Sequence, residues 1–220
     1  MSVNFQNKIY NGWELSFFDL AKNFRNYQLS LVKDYIVGDV SEVGPGNGIF
    51  YQLYKELAEK IDLYEPSSNF IDQLNKKKNK NTFIYNNYFQ QKENYYDTII
   101  YMDVIEHIQD DIEEISKASK SLKKDGKLII NVPAFQHLYS NFDRDIDHKK
   151  RYHKQDFINI SKKLNLEIIE LKYYDSIGYF LSLISKKIKI WDILVPTSRV
   201  LDTIIFNSFG KSLIFVCKKK

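Results

Sequence analysis

Apolar residues recur along this chain with two different periods, and the periods alternate. Leu20, Phe24, Tyr27 and Leu31 fall at helical spacing and predict an amphipathic helix within the first 36 residues. A strand is expected from about Asp39 into the glycines Gly44, Gly46 and Gly48, followed by a helix marked by Phe50, Leu53 and Leu57. Ile61–Tyr64 predicts a second strand, stopped by Glu65-Pro66, with a helix reaching about Lys76. Thr82–Tyr85 and Asp97–Met102 predict the third and fourth strands; the latter is nearly continuous in apolar residues, as a buried parallel strand should be. Asp110, with Glu113 three residues on, looks like the cap of a helix running through Ile112, Ile115 and Leu122.

Lys123–Gly126 predicts a turn, Lys127–Val132 a fifth strand, Asp156–Leu164 a helix ended by Asn165, Glu167–Tyr173 a sixth strand and Ser212–Lys218 the last. Two helices separated at Pro196 are expected within Ile177–Phe209. Strand and helix alternate through the middle, which predicts a mostly parallel sheet covered by helices. With 220 residues and no linker or repeat, the chain is expected to be a single domain. Residues 1–36 would form a helical cap, 37–175 the core, and 176–211 a helical insertion before the last strand.

Composition narrows the function little. Hydrophobic content of 44% and charged content of 27% are those of an ordinary globular protein. The net charge of +4, with acidic and basic residues interspersed, argues against a dedicated nucleic-acid binder. The single Cys217 excludes an internal disulfide and a cysteine zinc site, and its apolar surroundings predict a core position. Met1–Tyr10 shows no signal peptide and no run suits a membrane span, so a cytoplasmic location is expected.

The strongest local signal is Glu42-Val43-Gly44-Pro45-Gly46-Asn47-Gly48, at the first strand-to-helix turn. Open α/β sheets bind ligands at such turns, and glycines there let backbone approach a ligand closely. A dinucleotide fingerprint needs a third glycine three residues after Gly46, where Ile49 stands. The sequence instead resembles the E/D-x-G-x-G-x-G pattern of class I S-adenosylmethionine-dependent methyltransferases, matched at Glu42, Gly44, Gly46 and Gly48. Glu42 suits a cofactor that brings an ammonium and a sulfonium, whereas a pyrophosphate would want N–H groups. Glu65, ending the second strand, is placed to accept both ribose hydroxyls.

Tyr96–Ile108 resembles the fourth strand of the same family and its D-V-x-E-H-I turn, which implies Asp103 and Val104 beside the cofactor. The adenine contact is assigned to Asn87 and Tyr88, where the family usually has Gly-Asp. The resemblance implies a doubly wound, seven-stranded, Rossmann-like sheet, with S-adenosylmethionine consumed and S-adenosylhomocysteine produced.

Asp143, His148, Arg151 and Tyr152 resemble the D…GH-x-R-R-Y segment of a bacterial branch associated with glycan and envelope biosynthesis, with Asp147 for the glycine and Lys150 for one arginine. Three readings remain open. His148 is a general base, since imidazole ordinarily titrates near 6.5, with Arg151 and Tyr152 holding substrate. Alternatively these residues pin the loop, Arg151 pairing with Asp143. Asp143, Asp145 and Asp147 suggest a divalent cation, but His148 and Lys154 stand where an EF-hand loop needs Gly and Glu, so no metal is expected.

Lys186, Lys187 and Lys189 border an apolar helical face, which suggests packing on the sheet or a partner subunit, a substrate cap, or peripheral membrane contact. The expected activity is methyl transfer to oxygen or nitrogen of a small or carrier-linked metabolite, a sugar or related molecule, by a monomer or homodimer. An RNA or protein methyltransferase, or a non-catalytic cofactor-binding subunit, are the alternatives.

Overall fold

The computed structural model describes Gly12, residues 20–184 and residues 188–220. Its seven strands are β1 (Asp39–Val43), β2 (Lys60–Tyr64), β3 (Thr82–Tyr85), β4 (Tyr96–Met102), β5 (Leu122–Pro133), β6 (Leu166–Tyr174) and β7 (Ser212–Lys219). They form one sheet in the order β3-β2-β1-β4-β5-β7-β6. β1 to β5 pair in parallel, and β7 lies antiparallel between β5 and β6. Eight α-helices accompany them among the described residues: α1 (Lys22–Val32), α2 (Ile49–Tyr54), α3 (Ser68–Lys77), α4 (Asp111–Ser121), α5 (Asn141–Asp145), α6 (Lys154–Leu164), α7 (Ser176–Ile184) and α8 (Ile188–Ile204). The doubly wound, mostly parallel sheet expected from the alternation is what forms.

Successive strand residues point to opposite faces, so a central strand covered on both sides must be apolar throughout. In β4, Ile99 and Tyr101 enter one core cluster while Ile100 and Met102 enter the other. Leu213, Phe215 and Cys217 of β7 join the first cluster, and Ile214 and Val216 the second. Each fully buried aliphatic side chain here contributes about 1.5–3 kcal/mol. Cys217 is a core residue, as expected, and burial raises its thiol pKa.

Two local expectations are corrected. Lys123–Gly126 is not a free turn before β5; it lies within the strand, as an irregularity where the pairing with β4 jumps from Tyr96↔Leu122 to Thr98↔Lys127. Lys123 Nζ holds it down through Asp97, at 2.7 Å, and Asp39, at 3.2 Å.

Nor does Pro196 separate two helices, because α8 continues through it. Proline removes the N–H that would bond the carbonyl four residues back. That carbonyl belongs to Asp192, and it accepts instead from Asn23 Nδ2 at 3.1 Å. The Asp192 carboxylate also accepts the backbone N–H of Phe24, at 3.0 Å, in the first turn of α1. Ten residues on, Asp202 accepts from the Tyr27 hydroxyl, at 2.8 Å, and from the N–H groups of Asp175 and Ser176. The C-terminal helices are thereby tied to α1.

No helix of the described residues is long and apolar enough to cross a membrane. Lys186 and Lys187, Met1–Tyr10 and most of the expected cap before Leu20 lie outside the described residues, as does the side chain of Lys189.

Candidate active site

The strand order reverses between β1 and β4, which opens a crevice at their C-terminal ends. Glu42 lies near the end of β1, its side chain buried and its Oε2 accepting the Tyr54 hydroxyl at 2.7 Å. Burial pushes the Glu42 carboxyl up to about 7, against the hydrogen bond from Tyr54 and the charge of Arg25. The turn that follows places Gly44 at φ +67°, Gly46 at +55° and Gly48 at +77°, a region where L side chains are strained. Gly44 N–H continues the ladder to the Tyr64 carbonyl at 2.8 Å.

Glu65 closes over this turn. One of its oxygens accepts the Gly46 N–H at 2.9 Å and the other the Ser67 N–H at 2.8 Å. Burial raises this carboxyl to about 7, even with those two backbone donors lowering it. Asn86 Nδ2 donates to the Glu65 carbonyl at 2.9 Å and fastens the loop after β3 to the same corner. Asn87 and Tyr88 lie exposed on that loop, and the Asn87 side chain caps the Tyr88 N–H at 2.8 Å.

On the other side, Val104 lies so close to Gly44 that a Cβ built there would sit 2.8 Å from its Cγ2. Asp103 has φ +58°, unusual for a residue with a side chain. A closed ring of hydrogen bonds holds it there. Arg25 Nη1 donates to Asp103 Oδ2 at 3.2 Å and to Gln28 Oε1 at 2.7 Å; Gln28 Nε2 donates to the Tyr174 hydroxyl at 3.0 Å. That hydroxyl donates to Asn131 Oδ1 at 2.7 Å, and Asn131 Nδ2 returns to Asp103 Oδ1 at 2.5 Å. Hydrogen bonds arranged in such a circuit polarise one another, and each partner left alone would carry a desolvation cost. The ring joins α1, β5 and β6 to the residue after β4.

None of its members besides Asp103 was read as functional in the sequence. A signal existed for Gln28, which repeats at helical spacing with the apolar Phe24 and Val32 and is itself buried.

A second group of residues faces this crevice from the loop between β5 and α6. The short helix α5 opens with a reciprocal cap between Ser140 and Asp143, which turns the Asp143 carboxylate inward. Arg151 grips it with two bonds, Nε to Oδ1 at 2.8 Å and Nη2 to Oδ2 at 3.0 Å. Burial alone would raise the Asp143 pKa; the hydrogen bonds from His148 and Arg151 and the guanidinium charge outweigh it and hold the carboxyl below its ordinary value. An ionised Asp143 can only accept, so at 3.0 Å His148 Nδ1 carries a proton, which in the neutral ring leaves the lone pair on Nε2.

The Lys149 N–H bonds the Glu106 carbonyl at 2.7 Å, and the His107 and His148 rings meet edge to face with centroids 4.7 Å apart. The loop is thus joined to the segment that follows Asp103 and Val104. Burial, reinforced by Asp103, raises the Glu106 carboxyl well above its usual range. Burial and then the neighbouring His148 lower His107 to about 4.

Arg151 and Tyr152 do not present themselves to a substrate. Arg151 is turned into the loop on Asp143 and the Ala134 carbonyl. Tyr152 is fully buried, its hydroxyl donating to Asp111 at 2.8 Å. Their geometry is that of the anchoring reading. Asp143, Asp145 and Asp147 do not converge either, since Asp143 is buried on Arg151, Asp145 is exposed and Asp147 pairs with Lys149.

A family model described as a methyltransferase domain matches residues 21–171, more than half of the chain. Among curated proteins no sequence matches. A methyltransferase from Archaeoglobus fulgidus, described as S-adenosylmethionine-dependent, is similar in structure with a TM-score of 0.69 and 18% identity, over 96% of this chain and 99% of that one. A Thermotoga maritima protein described in the same terms gives 0.67 and 18%, over 96% of each chain. Phosphoethanolamine N-methyltransferase 2 of Haemonchus contortus, solved with S-adenosyl-L-methionine, gives 0.65 and 16% over 96% of this chain. The present chain spans 59% of that longer protein. At such identities the likeness is one of fold.

Proposed function

Because the chain belongs to the methyltransferase-domain family, we propose that it moves the methyl group of S-adenosylmethionine to oxygen or nitrogen of a small or carrier-linked metabolite, a sugar or glycan precursor. One observation carries the reading: two carboxylates, a close-approach glycine turn and an oriented imidazole converge on the crevice between β1 and β4. The cofactor supplies a methyl group on a sulfonium already activated for displacement. Glu65 is suited to the ribose hydroxyls, Gly44 and Gly46 to backbone contact, and Glu42 to the cationic end. Asp103 and Val104 border the same space, and Asn87 and Tyr88 are assigned to adenine at its rim.

His148 is the activating group for the acceptor. Asp143 fixes its ring, and the Nε2 lone pair takes the acceptor's proton as the new bond forms. Arg151 and Tyr152 are positioning residues, which hold Asp143 and the loop.

Calorimetric titration with S-adenosylmethionine, S-adenosylhomocysteine and NAD tests the reading. Micromolar binding of the first two and none of NAD is expected; no binding of either sulfur compound overturns it. In an acceptor screen with labelled cofactor, beginning with sugars, His148→Ala should lower kcat by about 10²–10⁴-fold, the usual contribution of a general base. Its cofactor affinity should stay native. An unchanged kcat would remove His148 from acceptor activation.

The same titration should depend on pH. Glu42 and Glu65 keep their protons up to about 7 in the folded protein, against an ordinary value of 4.5. Raised acids of this kind stabilise the fold less as pH climbs from 4.5 through 7. A cofactor that needs them ionised has the opposite dependence. Its affinity should rise about tenfold from pH 6 to pH 8 for each group that must lose a proton. Glu65→Gln should remove its share of that rise, and a flat profile in the native protein would show that neither carboxyl ionises on binding.

A further inference from the structure

We propose that Glu106, His107 and His148 form a site for one divalent transition-metal ion of the zinc and iron(II) class, at the acceptor end of the crevice. Among the described residues, this is the group of histidine and carboxylate side chains whose ligand atoms all lie within 4.8 Å of one another. Glu106 is the telling member. It is fully buried, and among the described residues neither carboxylate oxygen has a hydrogen-bond partner beyond its own backbone N–H. A buried carboxyl without partners is costly, and in a native protein such an orphan calls for an ion or an ordered water. Among the described residues no lysine or arginine lies within ion-pair distance of it; the nearest basic atom is His148 Nε2, 3.8 Å from Oε1.

Both histidines are prepared as ligands. A metal-binding imidazole gives its other ring N–H to a carboxylate or a backbone carbonyl, which fixes the tautomer. His148 does so with Asp143 at 3.0 Å, and His107 bonds the backbone of Asp147. Two nitrogens and one carboxylate suit zinc or iron(II) better than calcium or magnesium, which prefer oxygen alone. Ligands about 2.1 Å from one ion lie at most about 4.2 Å apart, so the widest pair must close by about half an ångström. The set differs from Asp143, Asp145 and Asp147, the aspartates that sequence spacing brought forward.

Three protein ligands leave positions open for an acceptor oxygen. The role in transfer rests on the function proposed above, whereas the site itself does not. With the ion bound, His148 gives its lone pair to the metal and acts on the acceptor through it, in place of taking the proton directly. The acceptor hydroxyl, acidified by coordination, releases its proton to solvent. Its oxygen then forms the bond to the methyl carbon, while the carbon–sulfur bond breaks and leaves its electron pair on sulfur.

The test is titration of the chelator-treated full chain with Co²⁺, followed by visible absorption, with metal analysis of the protein as purified. One equivalent bound, with ligand-field bands that Zn²⁺ displaces, is expected. Glu106→Gln and His107→Gln should each weaken binding by at least tenfold. In chelator, Glu106→Gln should melt no lower than the native protein, because the carboxyl it replaces has no partner in another described residue to lose, and added Zn²⁺ should raise the native Tm alone. Failure of the native chain to bind Co²⁺, Zn²⁺ or Mn²⁺ at submillimolar concentration overturns the site. So does equal binding by both variants. Cofactor calorimetry in chelator reads the methyl-transfer proposal independently, so the two can fail separately.

Discussion

Asp143→Ala should lower the stability of the folded chain by about 3–5 kcal/mol, the usual consequence of removing one partner from a buried ion pair. The Asp143 side chain is fully buried and that of Arg151 is 7% exposed. Without the carboxylate, the guanidinium keeps only the Ala134 carbonyl, at 3.3 Å, among its described side-chain bonds. Ser140 also loses the reciprocal cap that starts α5. Most of the cost therefore comes from a stranded cation and not from the lost attraction. Arg151→Met in the same chain should recover more than half of the loss, because it removes the stranded charge and keeps the volume. Urea melts of the native chain, both single variants and the double variant form the cycle that separates these terms. A loss below about 1 kcal/mol in Asp143→Ala, the range of surface pairs, would show that the pair does not hold the loop.

That pair also shows what the sequence makes legible. The glycine turn, Glu65 and the segment from Tyr96 to Ile108 could be placed because each is short, local and tied to a strand end. Gly44, Gly46 and Gly48 all adopt the left-handed backbone that such a turn demands. The partners that finish the site are remote in sequence, so spacing carries no trace of them. Arg25 reaches Asp103 across 78 positions, and Gln28 reaches Tyr174 across 146. His148 and Arg151 were visible as candidates, but which of them faces the crevice depends on where Asp143 points, and a helix of five residues decides that. Pro196 misled for a related reason. A proline signals a break when its freed carbonyl has only water to turn to, and here Asn23 supplies a partner from the opposite end of the chain.

Gly44→Ala should weaken S-adenosylhomocysteine binding on the order of 100-fold, with a stability loss of about 2–5 kcal/mol. Two costs add. A left-handed backbone costs an L residue about 1–2 kcal/mol, and overpacking a tight site costs a further 1–3 kcal/mol. The new methyl would lie 2.8 Å from Val104 Cγ2. Val104 has little room to yield, because it is branched at Cβ and its carbonyl is held by the His107 N–H at 3.0 Å. The turn would relax by moving away from Val104, and Gly46 and Glu65 would lose their 2.9 Å bond as it moved. Gly38 supplies the control. It has φ +64° and a Cβ there would collide with the Asp97 carboxylate, but it precedes β1 at the end of the strand away from the crevice. Gly38→Ala should therefore destabilise to a similar degree and leave cofactor affinity native. If both variants weaken binding equally, the effect belongs to the stability of β1; if Gly44→Ala alone does, the turn is the cofactor's seat.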